Sequence, residues 1–420
     1  MKIFLYNCIF LILLPFMVVR IFIKSFRDKD YIKGFLNRFG FYRVKPKDNL
    51  IWFHAVSLGE VISSKAIIKK ILNDNNVVLT VSTPTGLREA KKIYQDDLEV
   101  VYAPWDFDLF VRNFIRKFKP IALILFETEI WPNTIHLAYK KNIPSILSNA
   151  RLSKSSYKKY YSLRLFTKDI FKKITLILAQ SKEHVIRFKK MGVVEKNIIQ
   201  VGSVKFDSNL TSDKEIIKND DIIMASSTHR GEDEIIIDAF SKLKKDLPEL
   251  KLIIVPRHPE RADSILQILN RKKINSKISP DVSDLKNVDV IVVNTTGLLN
   301  SLYKIANITF IGGSLMSKYG GHNIIEAASN KCAFIVGPYM KNFEDVLNLF
   351  KDKNACIQLL NSNDLVNSYR ELLNNNELRM NIIDNAIRVV AENKGSSEKQ
   401  FNNIKKLINY ETSNSNNKTI

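Results

Sequence analysis

Cysteine and histidine are scarce in this sequence, and their spacing excludes two kinds of site. The 420 residues contain three cysteines, Cys8, Cys332 and Cys356, whose wide separation indicates neither a disulfide framework nor a metal motif. The six histidines include no His-x-x-x-His pair, so a structural zinc is not indicated. This cysteine usage is typical of a protein in a reducing compartment.

Acidic residues are outnumbered by basic ones. Asp and Glu total 43 against 64 Lys and Arg, which leaves a formal charge of +21 and indicates an anionic partner. A membrane surface or a phosphorylated substrate fits this charge. Nucleic acid is not expected, because no helix-turn-helix, RNA-recognition or zinc-finger signature is present. The length predicts two domains, and a hydrophobic fraction of 45% is enough to fill both cores.

The apolar run at residues 3–19 predicts an N-terminal membrane anchor. Its 17 residues are at the short end of the length of a membrane-spanning helix. The alternative, a cleavable signal peptide, lacks a small-residue cleavage site after Arg20. Residues 20–47 carry nine Lys or Arg against two Asp. This excess predicts that the body lies in the cytoplasm and is held against anionic lipid, whether the helix spans the bilayer or only inserts.

From Asn49 onward, strand-like apolar runs alternate with amphipathic helices, a polar stretch interrupts them, and the alternation restarts. This pattern predicts an α/β fold with two Rossmann-like, doubly wound domains. The predicted segments are a membrane anchor (1–23), a first domain (24–207), a linker (208–218), a second domain (219–395), a C-terminal helix (396–410) and a disordered polar tail (411–420). The predicted strands are 51–54, 77–82, 100–102, 121–126, 143–148, 174–179, 198–201, 222–225, 252–255, 288–293, 305–311 and 334–336.

Ligands of doubly wound sheets bind where the strands end, so the residues that follow each strand of the first domain are candidates. Ser57 and Glu60 have capping-box spacing, and Glu60 is either a helix cap or a general base whose pKa is raised by the apolar strand behind it. Two carboxylates and a tryptophan at 127–131 are not explained by packing and indicate a functional role. Lys205 follows the last strand and is placed to reach an anion.

Two further patterns in the first domain have competing explanations. Asp106 and Asp108 resemble the Asp-x-Asp that holds a metal on a nucleotide diphosphate, but a helix beginning near Leu109 favours N-capping. Residues 154–173 interleave lysines with aromatic side chains. Such a stretch is either a solvated helix face or a membrane interface, and its aromatic residues favour the interface.

In the second domain, groups suited to phosphate or ribose follow several strands. Pro256 and Pro259 hold Arg257 and His258 in an extended loop, where a guanidinium suits a phosphate. Four glycines lie between residues 312 and 321, before a predicted helix whose first N–H groups suit an anion. Glu326, one turn into that helix, is placed to accept hydrogen bonds from a ribose. The alternative is that the glycines serve turn geometry alone.

Six segments, in order and at matching spacing along nearly the whole chain, resemble the 3-deoxy-D-manno-octulosonic acid (Kdo) transferases of lipopolysaccharide synthesis. They are His-Ala-Val-Ser-Leu-Gly-Glu (54–60), Phe-Glu-Thr-Glu-Ile-Trp-Pro-Asn (126–133), Asn-Ala-Arg-Leu-Ser (149–153), Val-Lys-Phe-Asp (204–207), Pro-Arg-His-Pro-Glu-Arg (256–261) and Gly-Gly-His-Asn-Ile-Ile-Glu (320–326). The resemblance implies a GT-B glycosyltransferase fold with two domains facing a cleft. It also implies transfer of Kdo from CMP-Kdo to the lipid A precursor lipid IVA, on the cytoplasmic face of the cell inner membrane.

The resemblance also implies roles for residues at matching positions. Glu60 matches the general base of the family, and Glu129 and Lys205 match residues assigned to transition-state stabilisation. The matching CMP-binding positions are Arg257, His258, Gly297, Leu298, Leu299, Asn323, Ile324, Ile325 and Glu326. Two positions depart from the family: Leu298 replaces an acidic residue, and Ile324 replaces the commoner proline. A contact between CMP and the backbone at Gly297–Leu299 would not be affected by the replacement at Leu298.

The implied reaction is an inverting displacement at the anomeric carbon, which needs one base and stabilisation of the leaving group. Because CMP leaves as a monophosphate, arginine and helix N-termini can suffice, and neither a metal nor another cofactor is expected. The alternative is another GT-B enzyme that uses a nucleotide sugar and a different lipid acceptor. A catalytically dead scaffold would most simply have lost Glu60 or Lys205, and both are present. Members of this family transfer one, two or more Kdo units on similar motifs.

Overall fold

The computed structural model describes residues 2–207 and 219–416. The predicted linker, 208–218, and the last four residues of the predicted tail lie outside this description. By its internal contacts the chain divides into two compact units, Met1–Ser208 with Gly395–Ile420, and Asn209–Lys394. We refer to them as the first and second units.

The first unit contains a seven-stranded, wholly parallel sheet in the order β3-β2-β1-β4-β5-β6-β7. Its strands are nearly all buried, as expected when helices cover both faces of a parallel sheet. The strand order reverses between β1 and β4, and such a switch point opens a crevice at the carboxyl ends of the two strands. The strands are β1 (Leu50–His54), β2 (Asn76–Val81), β3 (Glu99–Tyr102), β4 (Ala122–Phe126), β5 (Ser145–Ala150), β6 (Leu176–Ala179) and β7 (Ile198–Gln200).

Nine α-helices of the described residues belong to the first unit. They are α1 (Lys2–Ser25), α2 (Leu58–Ile71), α3 (Pro84–Tyr94), α4 (Asp108–Phe118), α5 (Pro132–Lys140), α6 (Lys154–Ser162), α7 (Arg164–Phe171), α8 (Lys182–Lys190) and α16 (Ser396–Asn416). Short 3-10 helices span Lys29–Tyr31, Phe35–Phe39, Glu195–Asn197 and Val204–Phe206.

The second unit repeats the plan with a parallel sheet in the order β10-β11-β9-β8-β12-β13-β14. Its strands are β8 (Asn219–Thr228), β9 (Lys251–Pro256), β10 (Ser276–Ile278), β11 (Val290–Val292), β12 (Ala306–Ile311), β13 (Ala333–Val336) and β14 (Ile357–Gln358). Its helices are α9 (Asp233–Asp246), α10 (Ala262–Arg271), α11 (Leu299–Tyr303), α12 (Ile325–Ser329), α13 (Glu344–Lys351), α14 (Leu365–Asn374) and α15 (Asn376–Asn393), with 3-10 helices at Pro259–Arg261, Val282–Lys286 and Ser362–Asp364. The two sheets confirm the predicted α/β fold of paired Rossmann-like domains.

The last helix, α16, is distant in sequence from the rest of the first unit but packs against it. Asp207 accepts hydrogen bonds from the N–H groups of Gly395 and Ser397 at its start. Gln400 is fully buried, and its side-chain oxygen accepts from Ser148 Oγ at 2.6 Å and from the N–H of Asn149 at 2.7 Å. The helix continues to Asn416, so the prediction of disorder was wrong for residues 411–416.

The N-terminal helix α1 is long and apolar enough to cross a membrane by length and composition. One side of it packs on the first unit, where Phe10, Leu14 and Met17 join a cluster built around Trp105 and Phe110. Much of the remaining helix surface exposes large apolar side chains. A helix that is apolar on its packed and exposed sides alike is suited to contact with a bilayer.

Asp106 caps a different helix from the one predicted. The N-cap residue of α4 is Phe107, which makes no side-chain cap. Asp106 is 2% exposed and instead accepts hydrogen bonds from the N–H groups of Asn133 and Thr134, at 3.0 and 2.8 Å, and from Tyr6 Oη at 3.1 Å. Burial raises the pKa of Asp106, although these hydrogen bonds oppose the rise. The residue therefore anchors the start of α5.

Gly312 provides a test of the close packing in the second unit. A Cβ there would lie 2.5 Å from the carbonyl oxygen of Ser227, a backbone atom with little room to move. We predict that Gly312→Ala lowers the free energy of unfolding by about 1–3 kcal/mol, the usual cost of overpacking. Thermal unfolding of the purified chain measures it.

The matched control is Gly59→Ala in α2, where no atom lies within 4 Å of the added Cβ. Helix propensity there favours alanine by roughly 0.5–1 kcal/mol. An equal loss of stability in both variants would contradict the prediction.

Candidate active site

The switch point of the first sheet carries Glu60 in the first turn of α2. Its carboxylate accepts a hydrogen bond from the N–H of Val56 at 2.8 Å and another from Ser57 Oγ at 2.9 Å. Ser57 is also the N-cap of α2, and its Oγ accepts from the N–H of Glu60. Glu60 therefore takes part in the N-terminal capping of α2, and its carboxylate is also half-exposed and held in a fixed position. Helix capping and a role as general base are thus compatible.

The environment of Glu60 favours its protonated form. The pKa of Glu60 is raised to about 8, mainly by burial and in part by the nearby charges of Glu129 and Glu127, while the bonds from Val56 and Ser57 act in the opposite direction. A carboxyl group with a pKa near neutrality is suited to exchange protons with a substrate. This is the property expected of a general base at the edge of an apolar sheet.

Glu129 follows β4, directly across the switch point. Trp131 Nε1 donates a hydrogen bond to its carboxylate at 2.6 Å. Burial raises the pKa of Glu129, the indole bond opposes the rise, and the charge of Glu127 adds to it. Glu127 has a φ of +61°, an uncommon conformation for a residue other than glycine, and its N–H donates to Ser148 O at 2.9 Å. The backbone thus turns sharply at Glu127, two residues before Glu129.

His54 supports this turn and was not singled out in the sequence. It ends β1, is 3% exposed, and its ring packs edge-on against Trp131 with centroids 5.1 Å apart. Its Nδ1 lies 2.8 Å from Thr80 Oγ1, and its Nε2 has no hydrogen-bond partner among the described residues. Burial lowers the pKa of His54 to about 4. The ring is therefore neutral at physiological pH, and it positions the tryptophan that bonds Glu129.

Lys205 lies on the 3-10 turn Val204–Phe206, beyond the edge strand β7. The turn folds back and packs against α2, the helix that carries Glu60. Its conformation is held by Asn149, whose Oδ1 accepts from the N–H of Val204 at 3.2 Å. Asn149 is in turn held by Gln400 of α16. The final helix of the chain therefore supports the turn that carries Lys205.

In the second unit, Arg257 and His258 are exposed on the loop after β9. The N–H of Arg257 donates to Thr228 O at 3.0 Å, which ties this loop to the end of β8. Arg261, from the same motif, instead pairs with the buried Asp233 and donates to Thr228 O at 2.9 Å. Arg257 is thus placed to meet a ligand, whereas Arg261 is structural.

The glycine-rich loop after β12 is held by Glu232, a residue that the sequence analysis did not single out as functional. Its fully buried carboxylate accepts hydrogen bonds from the N–H groups of Gly313 at 2.7 Å, Leu315 at 2.9 Å and His229 at 2.9 Å. Burial raises the pKa of Glu232, and these three bonds oppose the rise. Backbone donors that a phosphate would otherwise use are therefore occupied by a protein carboxylate.

Two histidines lie beside this loop. His229 Nε2 and His322 Nε2 are 2.8 Å apart, and the ring of His229 stacks on Tyr319 at 3.9 Å. The pKa of each histidine is lowered to about 4, mainly by burial and in part by neighbouring positive charges, including that of Arg257. Both rings are neutral at physiological pH, so one nitrogen of the pair donates and the other accepts.

Glu326 lies at the start of α12, a helix of only five residues. Asn323 Nδ2 donates to its carboxylate at 3.0 Å, and Asn323 Oδ1 accepts from the N–H of Ile325 at 3.1 Å. Burial raises the pKa of Glu326, while the Asn323 bond and the charge of Arg257 act in the opposite direction. The structure therefore brings Arg257, Asn323 and Glu326 into one region.

The other predicted nucleotide-binding residues differ in how far their side chains and backbone are exposed to solvent. Ile324 and Ile325 are completely buried, so their side chains serve the core and leave only backbone for a ligand. Gly297 is exposed with a φ of +89°, and nothing lies within 4 Å of an added Cβ. Leu298 and Leu299 are half-buried at the start of α11, which packs beside α12. Among residues 2–207 and 219–416, no group of three or more His, Cys, Asp or Glu is placed to hold a metal ion.

The raised pKa of Glu60 predicts a pH-dependent stability. The folded state holds this proton up to about pH 8, whereas an unfolded glutamate loses it near its ordinary value of 4.5, so the ionised side chain destabilises the fold increasingly between these values. We expect Glu60→Gln to raise the melting temperature by about 2–4 °C at pH 9, roughly 1 kcal/mol, with a much smaller gain at pH 5.

Glu183→Gln is the matched control, because the Ser181 hydroxyl lowers the pKa of Glu183 and its ionised form is already favoured. No gain at pH 9 is expected there. A gain for Glu60→Gln that is the same at both pH values would show that ionisation is not its cause.

Comparison with known proteins identifies the family. A family model described as 3-deoxy-D-manno-octulosonic-acid transferase (kdotransferase) matches residues 33–208, and one described as glycosyl transferases group 1 matches residues 218–389. The 3-deoxy-D-manno-octulosonic acid transferase of Haemophilus influenzae is 31% identical over 96% of this chain and 98% of its own length. That of Rickettsia bellii is also 31% identical, over 93% of this chain and 96% of its own.

A solved glycosyltransferase structure from Rickettsia africae matches 88% of this chain and 100% of its own, with a TM-score of 0.54 and 18% identity. At that identity the likeness concerns the fold, and it agrees with the two parallel Rossmann-like sheets described above. The fold is GT-B, and the chain belongs to the 3-deoxy-D-manno-octulosonic acid transferase family.

Proposed function

We propose that this Kdo transferase moves Kdo from CMP-Kdo to the lipid A precursor lipid IVA by inverting displacement, with Glu60 as the general base. The observation that carries the proposal is the position of Glu60 at the switch point, where burial raises its pKa to about 8 beside a second carboxylate. A base is most effective when its pKa lies near the working pH.

In this mechanism the ionised Glu60 takes the proton of an acceptor hydroxyl. The hydroxyl oxygen bonds to the anomeric carbon of Kdo as the bond from that carbon to the CMP phosphate oxygen breaks. The sugar passes through an oxocarbenium-like state, which the negative charge of Glu129 stabilises. Trp131 and His54 hold Glu129 in place, so this charge needs no reorganisation during the reaction. We assign Lys205 to the anionic groups of the reacting sugar.

The second unit carries the groups that we assign to CMP. The exposed Arg257 guanidinium suits the phosphate, because guanidinium–phosphate hydrogen bonds are charge-assisted and frequently bidentate. Asn323 and Glu326 suit the ribose hydroxyls, and the exposed backbone at Gly297 suits the base or the ribose. Since the leaving group is a monophosphate, these groups can stabilise it without a bridging metal.

We place the enzyme on the cytoplasmic face of the inner membrane, held by α1 and by anionic lipid. The exposed apolar surface of α1 and the net charge of +21 support this location. Relatives named as Kdo transferases support a lipid acceptor. A GT-B enzyme using another nucleotide sugar is the alternative, and the product of the reaction distinguishes the two.

Mass spectrometry of lipid products tests the donor, the acceptor and the base. We expect purified protein with CMP-Kdo and lipid IVA in detergent to form Kdo-bearing lipid in the presence of EDTA, and the mass increment counts the sugars added. Glu60→Gln is expected to lower kcat/KM by roughly 10²–10⁴. The wild-type kcat/KM should rise with pH up to about 8 and then level off, because only ionised Glu60 accepts the proton.

Glu183→Gln again serves as the control and should keep wild-type activity. Product from Glu60→Gln at the wild-type rate would exclude Glu60 as the base. No product from the wild type with CMP-Kdo, but product with another nucleotide sugar, would overturn the proposed donor. Loss of product in EDTA that returns with added metal would overturn metal independence.

A second prediction concerns donor binding. Removing a charge-assisted hydrogen bond costs about 1.5–3 kcal/mol, so Arg257→Ala is expected to raise the KM for CMP-Kdo roughly 10- to 100-fold. The KM for the lipid acceptor should not change. Arg271→Ala removes an exposed arginine of the same unit on α10 and should leave both constants unchanged. A change in the acceptor KM alone would contradict the assignment of Arg257 to the donor.

A further inference from the structure

An apolar groove opens on the first unit between α1, the α6–α7 pair and the start of α5. Its volume is about 450 Å³, within the range of roughly 300–1,000 Å³ that small-molecule sites occupy. Its lining is almost entirely nonpolar. The residues that decide the argument are Leu5, Ile9, Ile130, Pro132, Leu163 and Leu165.

One end of the groove adjoins the carboxylate site. Ile130 and Pro132 line the groove and flank Trp131, whose indole bonds Glu129. Tyr160 also lines it, and although burial contributes most to its raised pKa, the charge of Glu129 contributes as well. Ile130 directly follows Glu129 in the chain, so this wall of the groove is continuous with the turn that carries the carboxylate.

The other end of the groove is open and apolar. Leu5 and Ile9 of α1 line it while remaining 61% and 50% exposed, and Leu163 and Leu165 of the α6–α7 pair remain 63% and 82% exposed. Apolar side chains gathered around an apolar cavity mark a binding site more often than isolated ones do. The groove therefore runs from the exposed apolar side of α1 towards the carboxylates.

The stretch that forms one wall of the groove also carries exposed positive charges. The exposed basic residues of the stretch that forms one wall are Lys154, Lys158, Lys159, Arg164, Lys168 and Lys172. The aromatic residues Tyr157, Tyr160 and Phe166 between them pack partly into the core, so the outward surface combines these basic side chains with the exposed Leu163 and Leu165. An apolar slot beneath a basic surface complements a molecule with both an acyl chain and phosphate groups.

We propose that this groove binds one acyl chain of the phosphorylated lipid acceptor and so holds the sugar hydroxyl of that acceptor beside Glu60 and Glu129. The inference rests on the proposed function and adds a substrate subsite to it. Each methylene group moved from water into the groove should tighten acceptor binding about fourfold. The chain contributes its own N-terminal helix as one wall of the site.

Photolabelling tests the subsite independently of catalysis. The full-length protein in detergent is irradiated with lipid IVA that carries a diazirine near the end of one acyl chain, and the labelled residues are mapped. We expect labels at residues 5–9 and 163–170, reduced by unlabelled lipid IVA and unaffected by its deacylated form. Labels confined to other exposed parts of α1 would overturn the proposal. So would equal labelling by a diazirine phospholipid that lipid IVA does not displace, because the groove would then hold bilayer lipid.

Two matched variants of α1 provide the kinetic test. Ile9 and Leu11 are each 50% exposed, but only Ile9 lines the groove. We expect Ile9→Glu to raise the KM for acylated acceptor at least tenfold, with the KM values for CMP-Kdo and for deacylated acceptor unchanged. Leu11→Glu, which places the same charge on the other flank of α1, should leave all three unchanged. Equal effects of both variants would overturn the proposal.

Leu165→Glu is the second groove variant, at a side chain too exposed for its loss to disturb folding. It should reproduce the selective change of Ile9→Glu. If the wild type transfers no Kdo, the proposed function fails, while the photolabelling still decides whether an acyl chain occupies the groove.

Discussion

The reversal of strand order between β1 and β4 places two carboxylates from distant parts of the sequence beside the carboxyl ends of these two central strands. Glu60 begins the helix after β1, and Glu129 lies in the turn after β4, so each follows the end of a fully buried strand. Burial disfavours both negative charges, and each adjacent charge disfavours them further. The remaining features of this edge moderate that cost: backbone and hydroxyl donors at Glu60, and the indole of Trp131 at Glu129. The raised pKa values of the two carboxylates therefore depend on a topology that brings like charges together, and a few hydrogen bonds fix the positions of the two side chains.

The second unit also buries a carboxylate, that of Glu232, but there the carboxylate has a structural role. Glu232 is buried like a catalytic carboxylate, but three backbone N–H groups surround it and it serves to hold the glycine-rich loop. Gly312 and Gly337 allow neighbouring backbone to approach so closely that a Cβ at either position would overlap a carbonyl oxygen. These contacts therefore hold the glycine-rich loop in place, while Arg257 on the loop after β9 is exposed and Glu326 at the start of α12 is half-buried. Rigid support beneath exposed ligand groups is the arrangement that preorganised sites require.

The first and last helices, α1 and α16, both pack within the first unit, and each supports a segment that carries a candidate site residue. Gln400 of α16 holds Asn149, which holds the turn of Lys205. Tyr6 of α1 donates to Asp106, which anchors the start of α5 immediately after Trp131. The helix that is suited to a membrane is therefore also hydrogen-bonded to Asp106, which anchors the start of α5 just after the turn of Glu129 and Trp131. This link gives a physical reason why a helix suited to a membrane and the apolar groove beside it lie next to the turn that carries Glu129.

Local sequence determined the strands, the fold and the family, because parallel strands buried on both faces read as continuous apolar runs. All twelve predicted strands are present; β10 and β14 were missed because they are edge strands of only three and two residues, too short to show a strand pattern. Tertiary structure alone decided which groups meet. Asp106 caps α5 instead of α4, Glu232 occupies the loop N–H groups, Ile324 and Ile325 turn into the core, and the turn of Lys205 folds back onto α2. A sequence pattern reports the period and burial of one segment, whereas a hydrogen bond or a pKa depends on partners brought together from elsewhere in the chain.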